Sequence, residues 1–269
     1  MMHLLKKRLQ RARNFLVLLF GLLLLGGMIF AGSIGLVLHT LILPGAQRKQ
    51  NARNAITHTF RMYFGIMQAL NILHLDLSDI DSLLEERGII LACNHPSLLD
   101  ALLITSRLSN VVCIMKEQVL RNVLFGHGAK MAGYIPNKSI RNIVNVAGKE
   151  LSIGSQLLLF PEGTRTRTNI SSVNEFQGTV AVIAKRTGAD VQTILIESDS
   201  GFLGKGWPLY RIPQFPVHFR VRVGRRFSPT WDVKGLIAEM QEYFEQELSG
   251  ASQPSRFERN CCVPLETQP

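Results

Sequence analysis

With 269 residues, a formal charge of +10 and a pI near 9.8, the chain has room for one catalytic domain plus a short attachment segment, not for two full domains. That charge suits nucleic acid, an anionic membrane surface or phosphorylated substrates. With 7% aromatic residues and no RNA-binding or zinc-finger signature, nucleic acid is set aside as a partner. The four cysteines, Cys93, Cys113, Cys261 and Cys262, form no C-x-x-C pair and read as free thiols facing a reducing compartment, without a metal site.

The first fifty residues read as a membrane device. From Asn14 to Pro44 run 31 residues without a formal charge, preceded by Lys6, Lys7, Arg8, Arg11 and Arg13 and followed by Arg48, Lys49 and Arg53. The run is too long for the apolar part of a cleaved signal peptide, and no clear cleavage site follows it. As one straight helix it would measure roughly 46 Å at about 1.5 Å per residue, against a hydrocarbon core of about 30 Å. Basic clusters on both flanks favour two cytoplasmic ends. Gly21, Gly26, Gly27, Gly32 and Gly35 offer bending points, so a re-entrant hairpin and a single tilted span both stay open.

Next, Ile56, Phe60, Tyr63, Met67 and Leu70 recur at helical spacing, predicting an amphipathic helix packed on the domain or lying in the membrane interface. Strands are predicted at Gly88–Cys93, Val111–Met115, Gln156–Phe160, Val191–Ile196 and Val217–Val223. Helices are predicted at Ser97–Leu108, Ser139–Ile153, Thr179–Thr187 (ended by Gly188) and Val233–Leu248. Alternating strands and helices indicate an α/β fold, a mixed and largely parallel sheet flanked by helices. In such sheets, sites gather at the carboxyl ends of strands, and two polar clusters stand there.

The first is Asn94-His95-Pro96-Ser97-Leu98-Leu99-Asp100. An imidazole takes a proton from an alcohol near neutral pH, and does so better when a carboxylate holds its other ring nitrogen. A loop crossing a helix start brings His95 and Asp100 within reach of each other. Ser97-x-x-Asp100 also resembles a capping box, in which the acid only satisfies backbone donors. The second cluster is Phe160-Pro161-Glu162-Gly163-Thr164-Arg165-Thr166-Arg167. Gly163 permits close backbone approach, Thr164 donates a hydrogen bond and Arg165 grips a phosphate with parallel bonds. Taken alone, it also reads as a solvated loop tied by Glu162 and Arg165.

NHPSLLD followed by FPEGTRT resembles the glycerolipid acyltransferases, in particular the 1-acylglycerol-3-phosphate acyltransferases, over roughly Gly88 to Leu195. The resemblance implies a glycerol-3-phosphate acyltransferase-like fold, with His95 as the base on the acceptor hydroxyl and Asp100 orienting it. It implies that Glu162, Gly163, Thr164 and Arg165 bind the acceptor's phosphate and that Lys116 occupies a common basic position. Asn94 and Ser97, inside the first motif, join the expected substrate contacts. It further implies acyl-CoA or acyl-acyl carrier protein as donor, a lysophospholipid acceptor, and no cofactor, metal or acyl-enzyme.

Two blocks depart from the family. Where Gly-x-x-x-x-x-Arg is common, this chain has Gly133-Tyr134-Ile135-Pro136-Asn137-Lys138-Ser139, leaving Lys138 or Arg141 to supply the charge. The usual Val-Pro-Val-x-Pro strand is replaced by Val191-Gln192-Thr193-Ile194. Both changes keep another lysolipid or specialised acceptor open; a non-catalytic lipid-binding protein is the remaining rival. The basic stretch Arg211 to Arg226 is a candidate contact for carrier protein, coenzyme A phosphates or lipid headgroups. The expected layout is a membrane anchor over 1–50, an amphipathic helix and connector over 51–80, the acyltransferase domain over 81–250 and a loosely ordered tail over 251–269. Membrane lipids are then partners, and the expected location is a bacterial inner membrane with the domain on its cytoplasmic face.

Overall fold

Seven strands form one sheet in the computed structural model, which describes residues 2–40, 47–122, 126–167 and 172–249. The strands are β1 (Leu73–Asp76), β2 (Ile90–Cys93), β3 (Val111–Met115), β4 (Ile135–Pro136), β5 (Gln156–Leu159), β6 (Val191–Ser198) and β7 (Val217–Phe227). Their order is β1-β7-β6-β2-β5-β3-β4, and every pairing is parallel except that of β6 with β7. The expected mixed, largely parallel sheet flanked by helices is what forms. The expected tail over 251–269, with Cys261 and Cys262, lies outside the described residues, as does the end of the apolar run at 41–46.

The helices are α1 (Met2–Thr40), α2 (Arg48–Ala69), α3 (Asp100–Arg107), α4 (Glu117–Leu120), α5 (Gly126–Met131), α6 (Ile140–Ser152), α7 (Thr179–Thr187) and α8 (Val233–Leu248). They cover both faces, which is why β2 and β5 are buried at every position. Alternation along β2 sends Leu91 and Cys93 into a core shared with α1, α2 and α3. Ile90 and Ala92 face a second core closed by α6, α7 and α8.

Most predicted elements form within a residue or two of their expected ends. The helix expected from Ser97 begins only at Asp100, so the lead-in from Ser97 to Leu99 stays free to make site contacts. β7 runs four residues beyond Val223 because its antiparallel partner β6 continues beside it to Phe227. β1 and β4 were not predicted, since such short strands exist only through the parallel neighbours β7 and β3.

α1 is one continuous helix of 39 residues, so a re-entrant hairpin is not what forms among the described residues. No proline interrupts it, and in apolar surroundings a helix keeps its own backbone groups satisfied. Its glycines do not interrupt it. A Cβ at Gly21 would stand 2.9 Å from the Met67 thioether methyl, and one at Gly32 would stand 3.3 Å from the Thr59 hydroxyl. Those two glycines let α1 lie close against α2, which runs back antiparallel beside it. α2 therefore packs on the domain, burying Tyr63, Phe64 and Met67. His3–Leu36 is long and apolar enough to cross a membrane by length and composition.

Candidate active site

β5, β2 and β6 lie side by side and parallel, so their carboxyl ends open at one edge of the sheet. Three loops leave that edge: 94–99 from β2, 160–167 from β5 and 199–216 from β6. The first is anchored at once by Asn94. Its buried amide donates to the Ile196 carbonyl at 2.8 Å and accepts the Ile196 N–H at 2.7 Å, continuing the sheet by a side chain. Asn94 thus faces β6 and not the cleft.

His95 follows. Its Nδ1 lies 2.8 Å from Asp100 Oδ2, and its ring stacks on Phe160 with centroids 4.0 Å apart. The imidazole is 18% exposed, and Nε2 has no protein partner among the described residues. Asp100 is wholly buried at the first turn of α3, and the same Oδ2 accepts the Ser97 N–H at 2.8 Å. The capping contact and the His–Asp pair therefore coexist on one oxygen. Burial pushes the Asp100 carboxyl above its ordinary range, against the opposing hydrogen bonds from His95 and Ser97. Ser97 is buried too, its hydroxyl donating to the Phe202 carbonyl at 3.0 Å.

The second loop clasps the first. Glu162 Oε1 accepts the His95 N–H at 2.9 Å and the Thr166 hydroxyl at 2.6 Å, while Oε2 accepts the Asn174 N–H at 2.9 Å. Thr166 N–H in turn donates to the His95 carbonyl at 2.7 Å. Both backbone groups of His95 are thus held by the loop after β5. Burial pushes Glu162 up from the usual carboxylate range, partly offset by these donors. Glu162, expected among the phosphate contacts, has its oxygens engaged with protein; a carboxylate also repels a phosphate. Gly163 sits at φ +64, where a Cβ would come within 2.5 Å of the Gln177 amide, so a side chain is excluded twice over.

The third loop was not singled out from the sequence as part of the site. Arg165 Nη1 donates to the carbonyls of Leu203 and Gly204 at 2.8 and 2.7 Å, and the Leu98 N–H also donates to Leu203 at 3.1 Å. Lys205 Nζ donates to the Thr164 hydroxyl at 2.7 Å. The legible signal was the glycine-rich DSGFLGKGW directly after an apolar strand. Elsewhere, Lys116 is exposed just before α4, and Lys138 pairs with Glu117 at 2.7 Å. Arg141 is exposed on α6. In the basic stretch, Arg220, Arg222, Arg225 and Arg226 pair with Asp76, Glu197 with Glu247, Glu239 and Glu86 respectively. Their guanidinium groups chiefly tie β7 to its neighbours.

Beside α3 lies an apolar cavity of about 100 Å³ between α1, α2 and β3, walled by residues such as Ile29, Leu36, Phe60, Ala101, Leu102 and Met115. Its wall begins one residue after Asp100. Cys113 also lines it, but burial pushes that thiol up to about 12, and Cys93 is likewise raised well above its ordinary value by burial. Neither thiol is a nucleophile near neutral pH. Among the described residues no His, Cys, Asp and Glu cluster could hold a metal ion.

The family model described as Acyltransferase matches residues 74–197. No curated protein matches the chain. Among solved structures it is similar to the crystal structure of the 1-acyl-sn-glycerophosphate (LPA) acyltransferase PlsC from Thermotoga maritima. The TM-score is 0.68 and the identity 17%, over 89% of this chain and 96% of that one. At that identity the likeness is one of fold.

Proposed function

We propose that the chain, whose residues 74–197 match the Acyltransferase family model, is a membrane-bound O-acyltransferase of the glycerolipid type that moves a fatty acyl group from a thioester donor to a lysophospholipid hydroxyl. The observation that carries this is the His95–Asp100 pair at 2.8 Å, with Nε2 open toward the cleft; the nearby Ser97 hydroxyl is committed to the Phe202 carbonyl. The acceptor's own hydroxyl is then the nucleophile. His95 takes its proton as the oxygen attacks the thioester carbonyl. The tetrahedral intermediate collapses, the carbon–sulfur bond breaks, and His95 returns the proton to the leaving thiolate. Asp100 holds the ring through Nδ1 and stabilises the imidazolium while it exists. The apolar cavity next to Asp100 suits a fatty acyl chain.

We take 1-acylglycerol-3-phosphate as the acceptor, giving phosphatidic acid, with acyl-CoA or acyl-acyl carrier protein as donor. The shared fold with an enzyme of that acceptor supports this, as does the cationic Arg165 at the cleft. A different lysolipid acceptor gains some support from Lys138, whose charge is engaged by Glu117. The exposed apolar face of α1 supports a membrane location, which we assign to a bacterial inner membrane with the site on the cytoplasmic side.

The test is acyl transfer by detergent-purified protein offered lysophosphatidic acid and other lysolipids with both donors. His95→Ala is expected to lose at least a thousandfold in kcat, and Asp100→Asn at least a hundredfold, as orders of magnitude for losing a positioned base and its orienter. Near wild-type turnover in Asp100→Asn would remove the pair from the chemistry. Product only from another lysolipid keeps the mechanism and changes the acceptor.

A further inference from the structure

We propose that Lys205, on the loop after β6, is a second cation for a phosphate monoester in the cleft, acting beside Arg165. The inference rests on the acyl-transfer reading only for what carries that phosphate; the binding site itself stands on geometry.

The loop from Gly201 to Gly206 is held against both motif loops. Ser97 donates its hydroxyl to the Phe202 carbonyl, the Leu98 N–H donates to Leu203, and Arg165 Nη1 donates to Leu203 and Gly204. Within the loop Leu203 takes φ 56, a left-handed conformation unusual for a bulky residue. Gly204 shows the closeness: a Cβ there would stand 3.2 Å from the Pro96 carbonyl and 2.9 Å from that of Gly201. The residue after Gly204 is therefore delivered beside the His95 loop.

That residue is Lys205. Its ammonium meets the Thr164 hydroxyl at 2.7 Å, remains exposed and has no carboxylate partner among the described residues. Arg165 holds the loop through Nη1, which leaves Nε and Nη2 of the fork unassigned. Arg165, Lys205 and the Thr164 hydroxyl thus converge from two loops on one edge of the cleft. Two cations and a hydroxyl match a dianionic phosphate, with Arg supplying fork geometry and Lys a point charge. By contrast Lys138, which the sequence offered for this task, is paired with Glu117. The phosphate belongs either to the lysolipid acceptor or to the donor, whose coenzyme A carries a 3′-phosphate.

The experiment is calorimetric titration of the full-length protein in detergent with dodecyl phosphate, dodecylphosphocholine, coenzyme A and dephospho-coenzyme A. It compares wild type, Lys205→Met and Lys205→Arg. Losing one charge-assisted contact is expected to weaken dodecyl phosphate about tenfold or more in Lys205→Met, with dodecylphosphocholine changed less than twofold. Lys205→Arg is expected to restore most of the loss. Weakening of coenzyme A alone, and not of its dephospho form, keeps the phosphate site and assigns it to the donor. Unchanged affinity for every ligand in Lys205→Met overturns the proposal, as does equal weakening of both dodecyl ligands. Because no turnover is needed, failure of the acyl-transfer reading and failure of this site are read separately.

Discussion

At the residue scale, the position of His95 rests on a local contact, to Asp100, and a remote contact, to Glu162. His95 and Asp100 are five residues apart on one loop-to-helix junction, so local geometry brings them together wherever that loop points. The contacts of Glu162 depend instead on a different strand, 67 residues away from His95 along the chain, ending at the same sheet edge. Its sequence context suggested a phosphate contact; the fold gives it the His95 N–H, the Thr166 hydroxyl and the Asn174 N–H. Glu162→Gln tests that support. The new amide can still accept on one side, but its NH₂ would face the Asn174 N–H, donor against donor. A buried donor left unpaired costs about 1–3 kcal/mol. We expect a loss of that size in urea unfolding. Acyl transfer should fall with it, because the loop that holds His95 loses a tie. Unchanged stability would show that Glu162 is not a tie at all.

Among elements, the junction of α2 with α6 and the loops before β3 and β5 buries an ion pair. Arg53 is 3% exposed and donates to the Ala132 carbonyl, Asn110, Ser155 and Glu150, the last at 2.7 Å. Lys49 reaches the other Glu150 oxygen at 2.8 Å. From the sequence, Arg53 read as one more flanking charge, because only the folded α2 turns it inward while the helical stripe of Tyr63 and Met67 was already visible. Burial alone would raise Glu150, but Lys49 and Arg53 outweigh it and hold the carboxyl below its ordinary range. A depressed carboxyl contributes stability that is present above its unfolded value and lost as pH falls through the folded one. Wild type should therefore lose stability below about pH 4.5, the ordinary glutamate range. Arg53→Met is expected to cost about 3 kcal/mol at neutral pH, since it leaves Glu150 with Lys49 alone. The double variant Arg53→Met/Glu150→Leu should recover much of that and flatten this part of the acid response. Denaturant unfolding at several pH values measures both; an additive double variant would dissolve the coupling.

For the whole molecule, the way α1 lies on the domain decides how a membrane is met. Leu18, Leu25, Ile29 and Leu36 are buried against the protein, while Phe15, Leu16, Leu19, Phe20, Leu23, Phe30 and Ile34 stay exposed. Those exposed side chains are worth about 1.5–3 kcal/mol each once removed from water, on the order of 10 kcal/mol together. Yet α2 runs beside α1 throughout that stretch, bearing Arg48, His58 and Arg61 on its outer positions. Standing α1 upright across a bilayer would carry those groups into hydrocarbon at about 2.5–3.5 kcal/mol for each charge near the centre. Lying α1 in one leaflet submerges its apolar face and leaves α2 above it. The basic flank of Lys6, Lys7, Arg8, Arg11 and Arg13 then meets anionic headgroups, and both ends of α1 stay on one side, as the flanking charges favour. Cysteines introduced one at a time at Leu4 and Asn54, with Cys261 and Cys262 changed to serine and the buried Cys93 and Cys113 kept, decide between these arrangements. In sealed vesicles an impermeant maleimide is expected to label both positions from the same side. Labelling of position 4 from the opposite side only would make α1 a span, and the site would then have to be reached by a lipid moving along an upright helix instead of one lying in the plane of the leaflet.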